Sequence, residues 1–178
     1  MNFGVMFLPI YRASTTAFLL GLGVFAALDA MRLSVEIPLF SGWIGMLAIW
    51  FFVYSLHANR RRHAGQETGL AFLPLGVAIL GKMIGAMIVL ISAVWQYMLE
   101  FASRNGVDVN DPEALGEAVS DPGFQEAMQA EINANPEVLL QWTGQASMMS
   151  WLGFWLVIAL FSIWFANMKK SGGSIESA

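Results

Sequence analysis

Two ionisable residues stand inside apolar sequence: Asp29, within ASTTAFLLGLGVFAALDAMRL (residues 13–33), and Lys82, the single charge between Gly69 and Leu99. A carboxylate and an ammonium held in hydrocarbon can neutralise one another between two helices, or can carry a proton or an ion. A second cluster, HANRRRHAG (residues 57–65), sets three consecutive arginines between the only two histidines, His57 and His63. Guanidinium groups at that density suit phosphate, on nucleic acid or on lipid headgroups. The third group is acidic: nine of the thirteen carboxylates lie between Glu100 and Ala146, where Arg104 is the only Lys or Arg. Calcium ligation would need a loop of about twelve residues with ligands at alternate positions and a closing Glu, which this stretch lacks. Acid and base catalysis would need a pocket as well as paired carboxylates, so no metal and no catalytic residue is expected here.

The elements that hold these groups follow from composition. Hydrophobic residues make up 57% of the 178 and charged ones 12%, where water-soluble domains carry about 25% charged. The apolar residues fall into blocks on the scale of a membrane-spanning helix, which needs about 20 of them. Four such blocks are read, at about 13–33, 39–56, 69–98 and 147–167. None shows the alternation of a membrane barrel, so each is expected to be helical, satisfying its backbone groups internally. The expected fold is an all-α integral membrane protein: a four-transmembrane-helix bundle with short helices in a long acidic extracytoplasmic loop. Its parts are residues 1–98 (three spans and a basic cytoplasmic loop, 57–68), the acidic loop 99–146, and residues 147–178 with the fourth span and a tail.

Basic residues in the flanks orient the spans. Both termini in the cytoplasm place Arg12, Arg60, Arg61, Arg62, Lys169 and Lys170 inside and leave Arg32 and Arg104 outside. Arg12 before an apolar block imitates a signal peptide, but no clean Ala-x-Ala follows, so the first helix is expected to be retained. Trp43, Trp95, Trp142, Trp151 and Trp164 lie near block ends as interfacial anchors, whereas Trp50 and Trp155 sit deeper, as packing residues. At 1.5 Å per residue, Asp29 and Lys82 lie roughly 24 and 20 Å from the cytoplasmic boundary, so an intramembrane pair between the first and third spans is expected. The spans otherwise offer only scattered Ser, Thr and Gln, which argues for glue over an ion path. Gly81 and Gly85, with Gly21, Gly23, Gly42 and Gly45, supply small surfaces for close helix packing, within one chain or between copies.

Within the acidic loop three helix starts recur: Asp111-Pro112-Glu113, Asp121-Pro122-Gly123 and Asn135-Pro136-Glu137, each an Asx cap before a proline at the first helical position. Three short helices are expected, the last continuing into the fourth span unless it bends at Gly144. Phe124, Met128 and Ile132, four residues apart, form an apolar stripe on the middle one. That stripe either packs on the chain itself or docks a partner.

Several activities are excluded. Without cysteine there is no redox dithiol and no cysteine-based zinc site. With both histidines at the membrane surface, a buried bis-histidine haem cannot be built. No nucleotide-binding glycine loop and no Gly-x-Ser-x-Gly elbow occurs, so neither a cofactor nor an enzymatic activity is expected. A nucleic-acid surface is disfavoured by the net charge of −4. Arg60, Arg61 and Arg62 are accordingly read as a topology signal beside anionic lipid headgroups, each worth about 1 kcal/mol there.

Arg12-Ala13-Ser14 with Phe18, followed after the second block by Arg60-Arg61-Arg62-His63-Ala64-Gly65-Gln66-Glu67-Thr68-Gly69, resembles the bacterial inner-membrane family called domain of unknown function 805 over about residues 12–85. The family pattern has an aspartate where Ala64 stands and an aromatic where Leu70 stands. The resemblance implies a small multi-pass protein of the bacterial inner membrane and no particular activity. Two functions are therefore expected to compete: a non-catalytic accessory or scaffold subunit that binds a partner membrane complex, and a small homo-oligomeric channel or transporter using Asp29 and Lys82.

Overall fold

The computed structural model describes residues 4–34 and 40–169. Leu39, where the second block was expected to begin, and Lys170 lie outside them. Among the described residues the chain is helical throughout: α1 (Gly4–Phe7), α2 (Thr15–Ser34), α3 (Trp43–His63), a 3-10 turn (Gly69–Ala71), α4 (Phe72–Arg104), α5 (Pro112–Ser120), α6 (Pro122–Ala134) and α7 (Pro136–Ala166). They form two compact units, one of residues 1–83 with 150–178 and one of residues 84–149.

Three helical stretches are long and apolar enough to cross a membrane: Thr15–Ser34, Gly69–Arg104 and Pro136–Ala166. The second block differs from expectation. Its helix starts at Trp43 and is predominantly apolar only to Leu56, fourteen residues or about 21 Å, before continuing as HANRRRH. That is short of a hydrocarbon core of about 30 Å.

In the first unit α2 buries Phe18, Leu22, Phe25, Asp29 and Arg32, a stripe at helical spacing, while Leu20, Val24 and Met31 are exposed. Ser14 caps α2 by accepting the Ala17 N–H at 3.2 Å. The core combines this stripe with Ile49, Val53 and Leu56 of α3 and with Phe154, Ile158 and Phe165 of α7. Two glycines set the closest approach between helices. A Cβ built on Gly153 would lie 2.3 Å from the Gly81 carbonyl oxygen, and one on Gly81 would lie 2.8 Å from the Gly153 oxygen. Backbone therefore meets backbone where α4 crosses α7, as small residues allow in membrane helices. Gly81 was legible as a packing residue, and its partner Gly153 was not.

In the second unit the acidic loop is ordered as three helix starts. Asp111 accepts from the Glu113 and Ala114 N–H groups, and Asp121 from Gly123 and Phe124, with a proline opening each helix. Asn135 behaves differently: its amide donates to the Glu131 carbonyl at 2.7 Å. From Pro136 the third helix runs unbroken through Gly144 to Ala166. Both α3 and α4 end with a left-handed glycine, Gly65 at φ 72° and Gly106 at φ 81°. In each, the glycine N–H and the one after it bond back to the last turn, Gly65 to Arg62 and Gln66 to Arg61, Gly106 to Ser103 and Val107 to Ala102.

Candidate functional sites

Three places hold ionisable groups with defined geometry. The first is the polar end of α3, beyond Leu56. Arg60 is 4% exposed. Its Nε donates to the Phe165 carbonyl at 2.9 Å and its terminal nitrogen to Ala166 and Met168, both at 2.8 Å. The last carbonyls of a helix have no partner within it and carry the negative end of its dipole, so a guanidinium fork there satisfies both. Arg61 is also buried, donates to the Glu67 carbonyl and lies 6.0 Å from the Phe165 ring. Headgroups do not reach side chains so placed. The expectation that all three arginines contact lipid headgroups is corrected: Arg62 alone is exposed.

His57 is fully buried beside them, with ring centroids 5.1 Å from Phe18 and 4.9 Å from Phe165, both edge to face. Its Nδ1 stands 2.7 Å from the Val53 carbonyl oxygen, which can only accept, so Nδ1 carries the proton and Nε2 is a bare lone pair. That Nε2 has no partner among the described residues. Asn59 donates to the Leu8 carbonyl at 2.7 Å and accepts the Ala13 N–H through its own carbonyl, fastening the segment before α2. The sequence marked these residues as a loop, and the structure makes them the last two turns of a helix with its polar atoms turned inward.

The second place is Asp29. No Asp29–Lys82 ion pair within 4 Å is formed, although Lys82 lies within electrostatic range of Asp29 and Arg32. Its Oδ1 accepts from Arg32 Nε at 2.9 Å and its Oδ2 from Trp155 Nε1 at 2.9 Å. Arg32 reaches on to the Ser41 carbonyl at 3.2 Å, tying the end of α2 to the turn before α3. The i,i+3 spacing of Asp29 and Arg32 was the available signal. It is obscured in the sequence because Arg32 also reads as a flanking charge. Among the described residues the ion pairs are Asp29–Arg32 and Arg104–Glu131, which leaves half-buried Lys82 without one.

The third place is the acidic lobe of α5 and α6 with the neighbouring ends of α4 and α7. Glu131 Oε1 accepts from Arg104 at 2.7 Å and from the Tyr97 hydroxyl at 2.9 Å. These two bonds, Arg104 first, hold the Glu131 carboxyl below its ordinary value, and the same pair raises Arg104. Phe124 packs edge to face on Phe101 at 5.0 Å, Ile132 is buried and Met128 is half-buried. Of the two expected readings, Phe124, Met128 and Ile132 as a docking face or as packing on the chain itself, the Phe124–Phe101 contact and the burial of Ile132 favour packing. What the lobe exposes is charge: Glu100, Asp108, Asp111, Glu113, Glu117, Asp121, Glu126 and Glu137 are all exposed.

Among the described residues no group of three His, Asp or Glu stands close enough to hold a metal ion. Comparison with protein families, with curated proteins and with solved structures finds no match. The class therefore rests on the chain's own features: an all-helical protein with three helices of membrane-spanning length and apolarity.

Proposed function

We propose that the protein is a non-catalytic integral membrane protein of the bacterial inner membrane, an accessory or scaffold subunit that holds an acidic helical lobe outside the membrane for a partner complex. The observation that carries this reading is the lobe. Its apolar stripe packs in part on the chain itself and its helices are capped, while eight carboxylates remain exposed and outside any ion pair among the described residues. An ordered surface with a net charge of −8 from nine carboxylates and one arginine steers a basic partner and disfavours an acidic one.

In this reading α3 is the fourth span of a four-helix bundle. Its apolar part is short, but Arg60, His57 and Asn59 of its last two turns bond to carbonyls inside the protein, which lowers what burying them costs. Both termini are then cytoplasmic, Arg62 faces anionic headgroups, and α5 and α6 stand outside. The resemblance over residues 12–85 agrees with an inner-membrane setting. The channel reading loses support because both oxygens of Asp29 are engaged in fixed bonds.

A mild-detergent pull-down with mass spectrometry tests the role. A partner with a basic extracytoplasmic face should be recovered and should be lost when Glu113, Glu117, Glu126 and Glu137 become glutamine; a protein recovered alone overturns the reading. Topology is tested with a reporter active only outside the cytoplasm. It should be active at Gly42 and Asn110 and inactive at Gly65. Equal activity at Gly42 and Gly65 would remove α3 from the membrane.

A further inference from the structure

In the first unit α2 and α7 leave a cleft between them. Its volume is about 560 Å³, within the range of about 300–1,000 Å³ that ligand sites occupy. Leu22, Trp155, Ile158 and Ser162, all buried, form its floor, and exposed Leu19 and Ile163 its rims. Gly23 and Ala159 line it without a side chain long enough to close it, and a Cβ on Gly23 would meet nothing within 4 Å. The polar side chains of the floor are engaged inside the chain: the Trp155 indole donates to Asp29 at 2.9 Å and the Ser162 hydroxyl to the Ile158 carbonyl at 2.6 Å. An occupant of the floor therefore meets an apolar surface.

The length of the cleft selects the kind of occupant. Trp155 stands eleven residues before Ala166, and Ala26 eleven after Thr15, roughly 16 Å of helix on each side. A hydrocarbon core is about 30 Å thick, so the cleft runs the depth of one leaflet. A lipid acyl chain has that reach, whereas a partner's spanning helix of about 20 residues is about twice as long.

The mouth selects the headgroup. There the start of α2 and the end of α7 are joined, the Thr15 hydroxyl donating to the Ala166 carbonyl at 3.4 Å. Arg12 stands three residues before Thr15 and Lys169 three after Ala166, and both are exposed. Arg60 covers the last carbonyls of α7, so the positive start of α2 is the helix dipole that remains open. Among the described residues, the exposed charges at this end of the unit are Arg12, Arg62 and Lys169 against Glu67. We propose that the cleft binds an anionic phospholipid, with one acyl chain along α2 and α7 and the phosphate at Arg12 and Lys169. A zwitterionic lipid brings a cation to the same place and gains less.

The proposal rests on α2 and α7 crossing a membrane, and not on a partner complex or the acidic lobe. The test is native mass spectrometry of the full chain in mild detergent, with phosphatidylglycerol or phosphatidylcholine of identical acyl chains. One phosphatidylglycerol should be held at least ten-fold more tightly than phosphatidylcholine. Arg12→Gln with Lys169→Gln should abolish the preference, and Arg12→Lys with Lys169→Arg should keep it. Gly23→Leu with Ala159→Leu fills the cleft without altering a charge and should weaken phosphatidylglycerol at least ten-fold.

Equal retention of the two lipids by the unsubstituted chain overturns the proposal, whether or not any variant folds. So does a preference that survives the Gln pair, which puts the headgroup elsewhere, or one that survives the filled cleft, which leaves only attraction to the surface. Displacement of the lipid by glycerol phosphate overturns it as well, since the acyl chain then contributes nothing. If filling the cleft instead dissociates a dimer, the occupant is a second copy and the proposal falls. Recovery of the chain outside the membrane fraction is seen before any lipid is added, so failure of the membrane reading is distinguishable from failure of this one.

Discussion

Residues 57–63 and residues 108–137 are two polar stretches of an apolar chain, and they treat charge in opposite ways. At the end of α3, arginines, a histidine and an asparagine are buried, with their polar atoms on carbonyls of α7, α3 and the segment before α2. In the lobe, eight carboxylates are exposed, while Ile132 is buried and Phe124 and Met128 are half-buried. The difference is in what each charge has to bond. A guanidinium is a fork of donors, and a helix C-terminus offers several unpaired acceptors in a small space, so burial is compensated. The carboxylates on α5 and α6 have, apart from the helix starts at Asp111 and Asp121 and the Arg104 bridge, only water.

This contrast can be broken in order of expected effect. Replacing Arg60 by Met removes three hydrogen bonds, leaves the Phe165 carbonyl with only the longer bond from the Met168 N–H and the Ala166 carbonyl with only that from the Thr15 hydroxyl, and should lower stability by on the order of 3 kcal/mol. Thermal melting in detergent measures it. Replacing Glu113 and Glu117 together by Gln should leave the melting temperature unchanged, and equal losses from the two changes would end the distinction.

Gly153→Ala comes next, at about 1–3 kcal/mol, because its methyl would press on the Gly81 backbone and no flexible side chain can yield. Gly23→Ala, which meets open space, is the matched control.

The smallest effect belongs to the lobe's bridge. The Glu131 carboxyl is held low by Arg104 and Tyr97, so what it contributes is present above the ordinary carboxylate range and disappears as pH falls through its folded value. Glu131→Gln should remove that acid sensitivity, read by the fluorescence of Trp142, which packs on Tyr97 at 5.5 Å.

How far each element was legible depended on whether its cause was local. The Asp-Pro starts of α5 and α6 were readable because a cap and a fixed proline φ act within one turn. The apolar blocks of α2, α4 and α7 were readable because length and hydropathy are properties of the segment alone. The start of α3 and the continuation of its helix through HANRRRH were not, and neither was the inward turn of Arg60, whose acceptors stand more than a hundred residues away at and just beyond the end of α7.

The Asp29–Lys82 pair was expected from matched depth, which fixes position along the membrane normal but not the direction in which a side chain points. By itself the sequence determined the helical class, the membrane-length segments, the acidic character of residues 99–146 and the absence of thiol chemistry. Only the tertiary structure decided which charges are satisfied: Asp29 by Arg32 and Trp155, Arg60 by the end of α7, Glu131 by Arg104 and Tyr97. The reason is physical. Hydropathy is additive along a chain, whereas a hydrogen bond needs two groups within about 3 Å, and that proximity is made by folding.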